Sequence, residues 1–256
     1  MIPIAMRCFM VAAVIGTIFV PPRAWAERDC SVPERFYTSQ PPLKKTPQAV
    51  AAGRRVVIVV LGGASSMGRA AGSLELAWPA RFGSRLAERF PSARTEVVNL
   101  AVARQTAKQA AERIERDVLP LKPTLVIWET GTMEAVRGLD VDDFRGTVQA
   151  GIDKLRATGA EVVLMNMQFS RAADAMIHFE PYLTALRELS DANDVPLFRR
   201  YGMMRHWAEN DALDLRAEDG EKRQQVARKL YDCIGRAMAD LVTHRQEPAK
   251  PADGAR

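Results

Sequence analysis

A serine hydroxyl becomes a nucleophile when a neighbouring base takes its proton, and the oxyanion formed on its target needs fixed hydrogen-bond donors. One stretch of the chain offers a serine in such a setting: Leu61-Gly62-Gly63-Ala64-Ser65-Ser66-Met67-Gly68, directly after an apolar run. Two glycines allow a tight turn, on which Ser65 can present its hydroxyl beside backbone N–H groups. The stretch lacks the Gly-Lys-Ser/Thr ending of a phosphate-binding loop, and its glycine spacing does not match a dinucleotide fingerprint. Two further segments close other apolar runs, Asn99-Leu100-Ala101-Val102-Ala103-Arg104-Gln105-Thr106 and Trp128-Glu129-Thr130-Gly131-Thr132-Met133-Glu134-Ala135.

Bases for such a serine are scarce. The chain holds three histidines, His178, His206 and His244. His206, beside Trp207 and shortly before Asp211, is the one candidate base, and its alternative role is packing on a helix with Met203, Met204 and Trp207. Asp140, Asp142 and Asp143 lack the glycine and terminal glutamate of a calcium loop, and Asp143 reads better as a residue near a helix N-cap. No cysteine and histidine spacing fits zinc, so neither a metal nor another cofactor is expected.

The elements that must position these residues follow from periodicity. Short apolar runs at Arg55 to Leu61, Glu96 to Leu100, Thr124 to Glu129, Glu161 to Met167 and Val195 to Phe198 read as strands. Amphipathic stretches at Glu75 to Phe90, Thr106 to Val118, Asp143 to Thr158, Tyr182 to Asn193 and Gln224 to Val242 read as helices. Strands that are apolar throughout, alternating with helices, indicate an α/β fold: a three-layer α/β/α sandwich around a mainly parallel sheet, in the flavodoxin-like style. In such a sheet, ligands bind at the carboxyl ends of the strands, which is where the three segments above fall.

Taken in order, these blocks resemble the SGNH hydrolases, the GDSL esterase and lipase family. The likeness runs from about Val56 to Val242 and takes in Trp78-Pro79-Ala80-Arg81, Arg200-Tyr201-Gly202-Met203-Met204 and Tyr231-Asp232-Cys233. The resemblance implies a serine nucleophile at Ser65 and an Asp-x-x-His pair near the C-terminus that supplies the base. The oxyanion hole would comprise the serine N–H, a second-block glycine N–H and a third-block asparagine amide. The glycine position falls on Ala101, which keeps its N–H. The asparagine position falls on Met133, whose thioether cannot donate. The Asp-x-x-His pair would fall on Asp211 to Asp214 or on Asp219 to Lys222, while counting back from Tyr231 lands near Lys222 to Gln225, and none of these placements supplies a histidine. Losing one oxyanion donor costs about 2.7–4 kcal/mol of transition-state stabilisation. The expectation is an SGNH-type protein with lost or much reduced ester hydrolysis and a binding or assembly role. The alternative is an active esterase or carbohydrate O-deacetylase that uses Ser65 with an atypical base. Expected partners are an acylated carbohydrate, a cell-envelope polymer or another protein.

The 256 residues are 47% hydrophobic and 26% charged, with 36 Lys and Arg against 31 Asp and Glu, which excludes a disordered or collagen-like chain. A formal charge of +5, dispersed along the chain, argues against a nucleic-acid partner. Residues 1–26 read as a signal peptide: Arg7, the apolar Cys8 to Val20, and Ala24-Trp25-Ala26 at the cleavage position. The apolar stretch is too short to span a bilayer comfortably, so an exported, periplasmic or extracellular protein without a stable membrane anchor is expected. Residues 27–54 read as an arm lying over the surface, 55–244 as the domain, and 245–256 as a disordered tail. Cleavage also removes Cys8, leaving Cys30 and Cys233, which suggests one disulfide closing almost the whole chain. Non-reduced peptide mapping of the secreted protein should recover Cys30 linked to Cys233; a free-thiol mass at both positions would exclude the bridge.

Overall fold

The computed structural model describes residues 31–37, 40–216 and 219–243. The chain divides after Ser31, and the fold belongs to the unit Val32–Arg256. Five strands form its sheet: β1 (Arg55–Leu61), β2 (Arg94–Asn99), β3 (Leu125–Glu129), β4 (Glu161–Met165) and β5 (Leu197–Phe198). All pairings are parallel, in the order β2-β1-β3-β4-β5. The chain therefore winds outward from β1 in one direction and then, starting at β3, in the other. The carboxyl ends of β1 and β3 flank the point where this order reverses, the place such sheets reserve for ligands.

Both faces of the sheet are covered, giving three layers. Val57, Val59 and Leu61 of β1 and Val126 and Trp128 of β3 pack with α3 (Ala107–Ala111), α5 (Val141–Ala157) and α7 (Glu180–Asn193) in one core. Alternation along each strand turns Val56, Ile58, Val60 and Ile127 to the opposite face. On that side α2 (Trp78–Arg89) packs against β2, α1 (Lys45–Ala51) against β1, and α9 (Gly220–Thr243) against α2. Gly235 of α9 lets the backbones meet closely, since a Cβ there would lie 2.7 Å from the Phe82 amide. The shorter helices α4 (Thr132–Arg137), α6 (Arg171–Met176) and α8 (Arg200–Glu209) follow β3, β4 and β5 in turn. Among the described residues, no helix is long and apolar enough to cross a membrane.

The α/β/α sandwich agrees with the sequence reading, and its differences have local causes. The expected surface arm contains α1, which buries Thr46, Ala49 and Val50. Its N-terminal amides of Lys44, Lys45 and Thr46 donate to the Glu161 carboxylate at 2.6, 2.8 and 2.7 Å, a cap supplied from far along the chain. The single helix expected over Thr106 to Val118 is instead α3, a wide π turn at Ile114–Val118 and a 3-10 turn at Leu119–Leu121. The wide turn places both Ile114 and Val118 in the core, and Pro120 cannot continue a helix. The helix expected from Glu75 starts at Trp78, with Pro79 in its first turn, where its missing N–H costs nothing. Asp140 caps α5, accepting from the Asp142 and Asp143 amides at 2.9 Å each, so Asp143 lies in the first turn near the N-cap. Cys30, the signal segment and the tail lie outside the described residues; Cys233 on α9 is buried.

Candidate functional site

The site forms where β1 and β3 end. β1 runs into Gly62 and Gly63, and Ser65 and Ser66 follow on a turn held by the Met67 amide donating to Gly63 O and the Gly68 amide to Ser65 O. Gly62 is required by crowding: a Cβ there would stand 2.8 Å from Glu129 Oε2 and closer still to Ser66 Oγ. Glu129, the last residue of β3, reaches across to this turn. Arg200 opens α8 just after β5, and the α8 start is tethered to β4 because the Tyr201 amide donates to Asn166 Oδ1 at 2.9 Å.

These elements bring Ser65, Ser66, Glu129 and Arg200 into one buried network. Ser65 Oγ donates to Glu129 Oε1 at 2.8 Å and accepts from Arg200 Nη1 at 2.8 Å. Arg200 Nη2 donates to Glu129 Oε1 at 3.0 Å, an ion pair whose side chains are 1% and 7% exposed. Ser66 Oγ donates to Glu129 Oε2 and accepts from Trp78 Nε1 at 2.9 Å. The Gly63 amide adds a longer contact to Oε2 at 3.4 Å. Asn99, at the end of β2, clamps the turn by donating from Nδ2 to Ser66 O at 2.6 Å.

Burial by itself would push the Glu129 carboxyl up, but the Arg200 charge and the hydrogen bonds from Ser66, Ser65 and Arg200 outweigh it and hold it below its ordinary 4.5. Tyr231 of α9 lies within reach of the same field. Its own burial, and then the Glu129 charge, push the phenol up to about 12, with Arg200 opposing.

The positions singled out in the sequence scatter. Ser65 and Met133 line one cleft of about 120 Å³, with Arg104, Gln105, Thr132 and Gln168 around it. Ala101 keeps its N–H, but that N–H donates to Asn99 Oδ1 at 3.2 Å. Asp211 and Asp214 line a different crevice, with Arg171 and Leu215. Asp214 pairs with Lys222 at 3.0 Å, while Asp219 caps the start of α9 by accepting from the Lys222 amide at 2.8 Å. The His206 ring sits 6.3 Å from that of Phe36, and its Nδ1 is 3.0 Å from Asn210 Nδ2. Among the described residues, the hydrogen-bond partners of Ser65 Oγ are Glu129 and Arg200, and no imidazole is among them. No group of three His, Cys, Asp or Glu among the described residues is placed to hold a metal ion.

Glu129 and Arg200 stand inside blocks that the sequence marks, yet neither carried a role there. The available signal was a single charge at the end of the apolar strand β3 and another directly after β5. Such charges tolerate burial only when paired.

The model of one sequence family, the non-GDSL lipase-like family, matches residues 29–247. The chain belongs to the non-GDSL lipase-like family. Several solved structures share the fold of this non-GDSL lipase-like protein. One is a two-domain esterase active on acetylated mannans, co-crystallised with mannopentaose (TM-score 0.66, 17% identity, 88% of this chain and 61% of that one). Another is the lipase/acylhydrolase from Enterococcus faecalis (TM-score 0.60, 18% identity, 76% of this chain and 99% of that one). A third is LAE5, an alpha/beta hydrolase from the metagenome of Lake Arreo, Spain (TM-score 0.58, 18% identity, 73% and 96%). Identities this low show a common fold. No curated protein matches the chain.

Removing one partner of the buried pair strands the other charge, which costs about 3–5 kcal/mol. Glu129→Gln and Arg200→Met should each lower unfolding stability by that order, while the double variant loses far less than their sum; urea denaturation reads all three. The pair also sets an acid limit. The Glu129 carboxyl lies below 4.5 in the fold and near 4.5 when unfolded, so its stabilisation is present above that pH and is lost as pH falls through the folded value. Denaturation midpoints of the parent protein should therefore drop as the pH is lowered below about 4.5, with a shallower slope in Glu129→Gln.

Proposed function

We propose that this SGNH-fold protein is an exported binding or assembly protein whose cleft at the ends of β1 and β3 has lost or nearly lost serine ester hydrolysis. One observation carries the reading: the Ser65 hydroxyl is held between Arg200 Nη1 and Glu129 Oε1, both at 2.8 Å. A nucleophile needs a base that is eager for its proton, and among the described residues the base in contact is a carboxylate whose pKa is depressed and whose charge Arg200 already balances. A guanidinium donating into the same oxygen draws electron density from it and lowers its nucleophilicity. The oxyanion side is equally thin, because Met133 offers no donor and the Ala101 amide is engaged by Asn99. The signal-like segment 1–26 supports export, and the neighbour active on acetylated mannans makes a cell-surface carbohydrate a reasonable occupant for the cleft.

The direct contact between Ser65 and Glu129 also supports the competing reading, an O-deacetylase with Glu129 in place of histidine. Assays of the purified protein against p-nitrophenyl acetate and an acetylated oligosaccharide, beside Ser65→Ala, separate the two. The expected result is the same background rate for both proteins. Turnover that exceeds background and disappears in Ser65→Ala would establish the deacetylase instead.

A further inference from the structure

Arg104 stands on the rim of the cleft in an unusual backbone state. Its φ is +61°, the left-handed region that residues other than glycine avoid and that persists only where the surroundings enforce it. Enforcement is visible on both sides. Arg137 Nη2 donates to Arg104 O at 3.3 Å, and Arg113 Nη1 fixes the next residue by donating to Gln105 Oε1 at 3.1 Å. Thr106 then opens α3 with a reciprocal cap in which its amide donates to Gln109 Oε1 at 3.0 Å. The exposed Arg104 side chain has no carboxylate partner among the described residues, although many of the chain's other arginines are paired.

The remaining groups around the cleft are uncharged donors. Gln105 has its carbonyl oxygen engaged by Arg113, which leaves its NH2 available, and Gln168 is exposed at the same rim. The floor adds no net charge, since Glu129 is balanced by Arg200. One cation and two amides around about 120 Å³ match a single negative charge with two acceptor oxygens. A dianion would meet only one positive charge and would sit close to Glu129.

We infer that the cleft binds the carboxylate of a sugar acid, with the Arg104 guanidinium as the fork that grips it and Gln105 and Gln168 as neutral donors. Met133 supplies the apolar wall for the carbons beside that carboxylate. This rests on the reading of the cleft as a binding site, and it sharpens that reading from carbohydrate in general to an acidic residue, free or within a polymer.

Titration calorimetry with D-glucuronate, its methyl ester, glucose, inorganic phosphate and an oligoglucuronide tests it on the full-length exported protein. Glucuronate or the oligoglucuronide should bind at least tenfold more tightly than the methyl ester, glucose or phosphate. Binding of the oligomer alone places the acid in a polymer, and equal binding of both forms places recognition in the single residue; either supports the inference. Arg104→Met should weaken binding at least tenfold with an unchanged melting temperature, and Arg104→Lys should fall between, because an ammonium cannot form the fork. Equal affinity for acid and methyl ester, equal affinity for phosphate, no binding of any carboxylate, or an Arg104→Met variant that binds normally would overturn it. Ser65-dependent ester turnover would count against the non-hydrolytic reading alone, because these calorimetric comparisons do not depend on Ser65.

Discussion

A charge buried at the end of a β-strand must find an opposite charge there, and the meeting of Glu129 with Arg200 is the constraint around which this end of the molecule is arranged. Each group is almost wholly removed from water, and either alone would be too costly to keep. The pair is affordable because the remaining hydrogen-bonding capacity of the carboxylate is filled by Ser65, Ser66 and the Gly63 amide. Those contacts in turn dictate that β1 ends in Gly62, where any side chain would strike Ser66 and Glu129. They also explain why Trp78 opens α2 facing inward: its indole N–H donates to Ser66 Oγ. The first strand, the third strand, α2 and the start of α8 are thus fixed to one another through two oxygens.

The same constraint bears on chemistry. An attacking serine must be mobile at its oxygen and paired with a group that wants a proton; a structural serine is saturated and paired with groups that already have what they need. On the proposed reading Ser65 is of the second kind: it donates a hydrogen bond to a carboxylate held below its ordinary pKa and accepts one from a permanently charged guanidinium. Stability and nucleophilicity here draw on the same atom. The fold is that of SGNH hydrolases, but a fold carries no activity by itself, and the residues at the strand ends are what decide.

Much of the fold was legible because it depends on patterns that strands and helices impose locally. The apolar β1 and β3 and the amphipathic α5 and α7 declare a covered parallel sheet without reference to anything distant. What escaped was whatever depends on a partner far away in sequence. α1 reads as a loop because its cap is Glu161, more than a hundred residues downstream. The site was half legible for the same reason. Ser65 is marked by its glycines, and Met133 by its place in a block. Glu129 and Arg200 look like ordinary charges until tertiary contact, 71 residues apart, makes them a pair. The division of the expected helix over Thr106 to Val118 was hidden because helical periodicity alone does not show where a turn widens.

The central claim is that Ser65 is a structural member of a buried ion-pair network and not an activated nucleophile. The most direct measurement is covalent: incubation of the native protein with a fluorophosphonate, followed by intact-mass and peptide analysis. This account predicts the unmodified mass after prolonged exposure, while an active serine esterase treated alongside is fully labelled. A stoichiometric phosphonyl adduct mapped to Ser65 would contradict it.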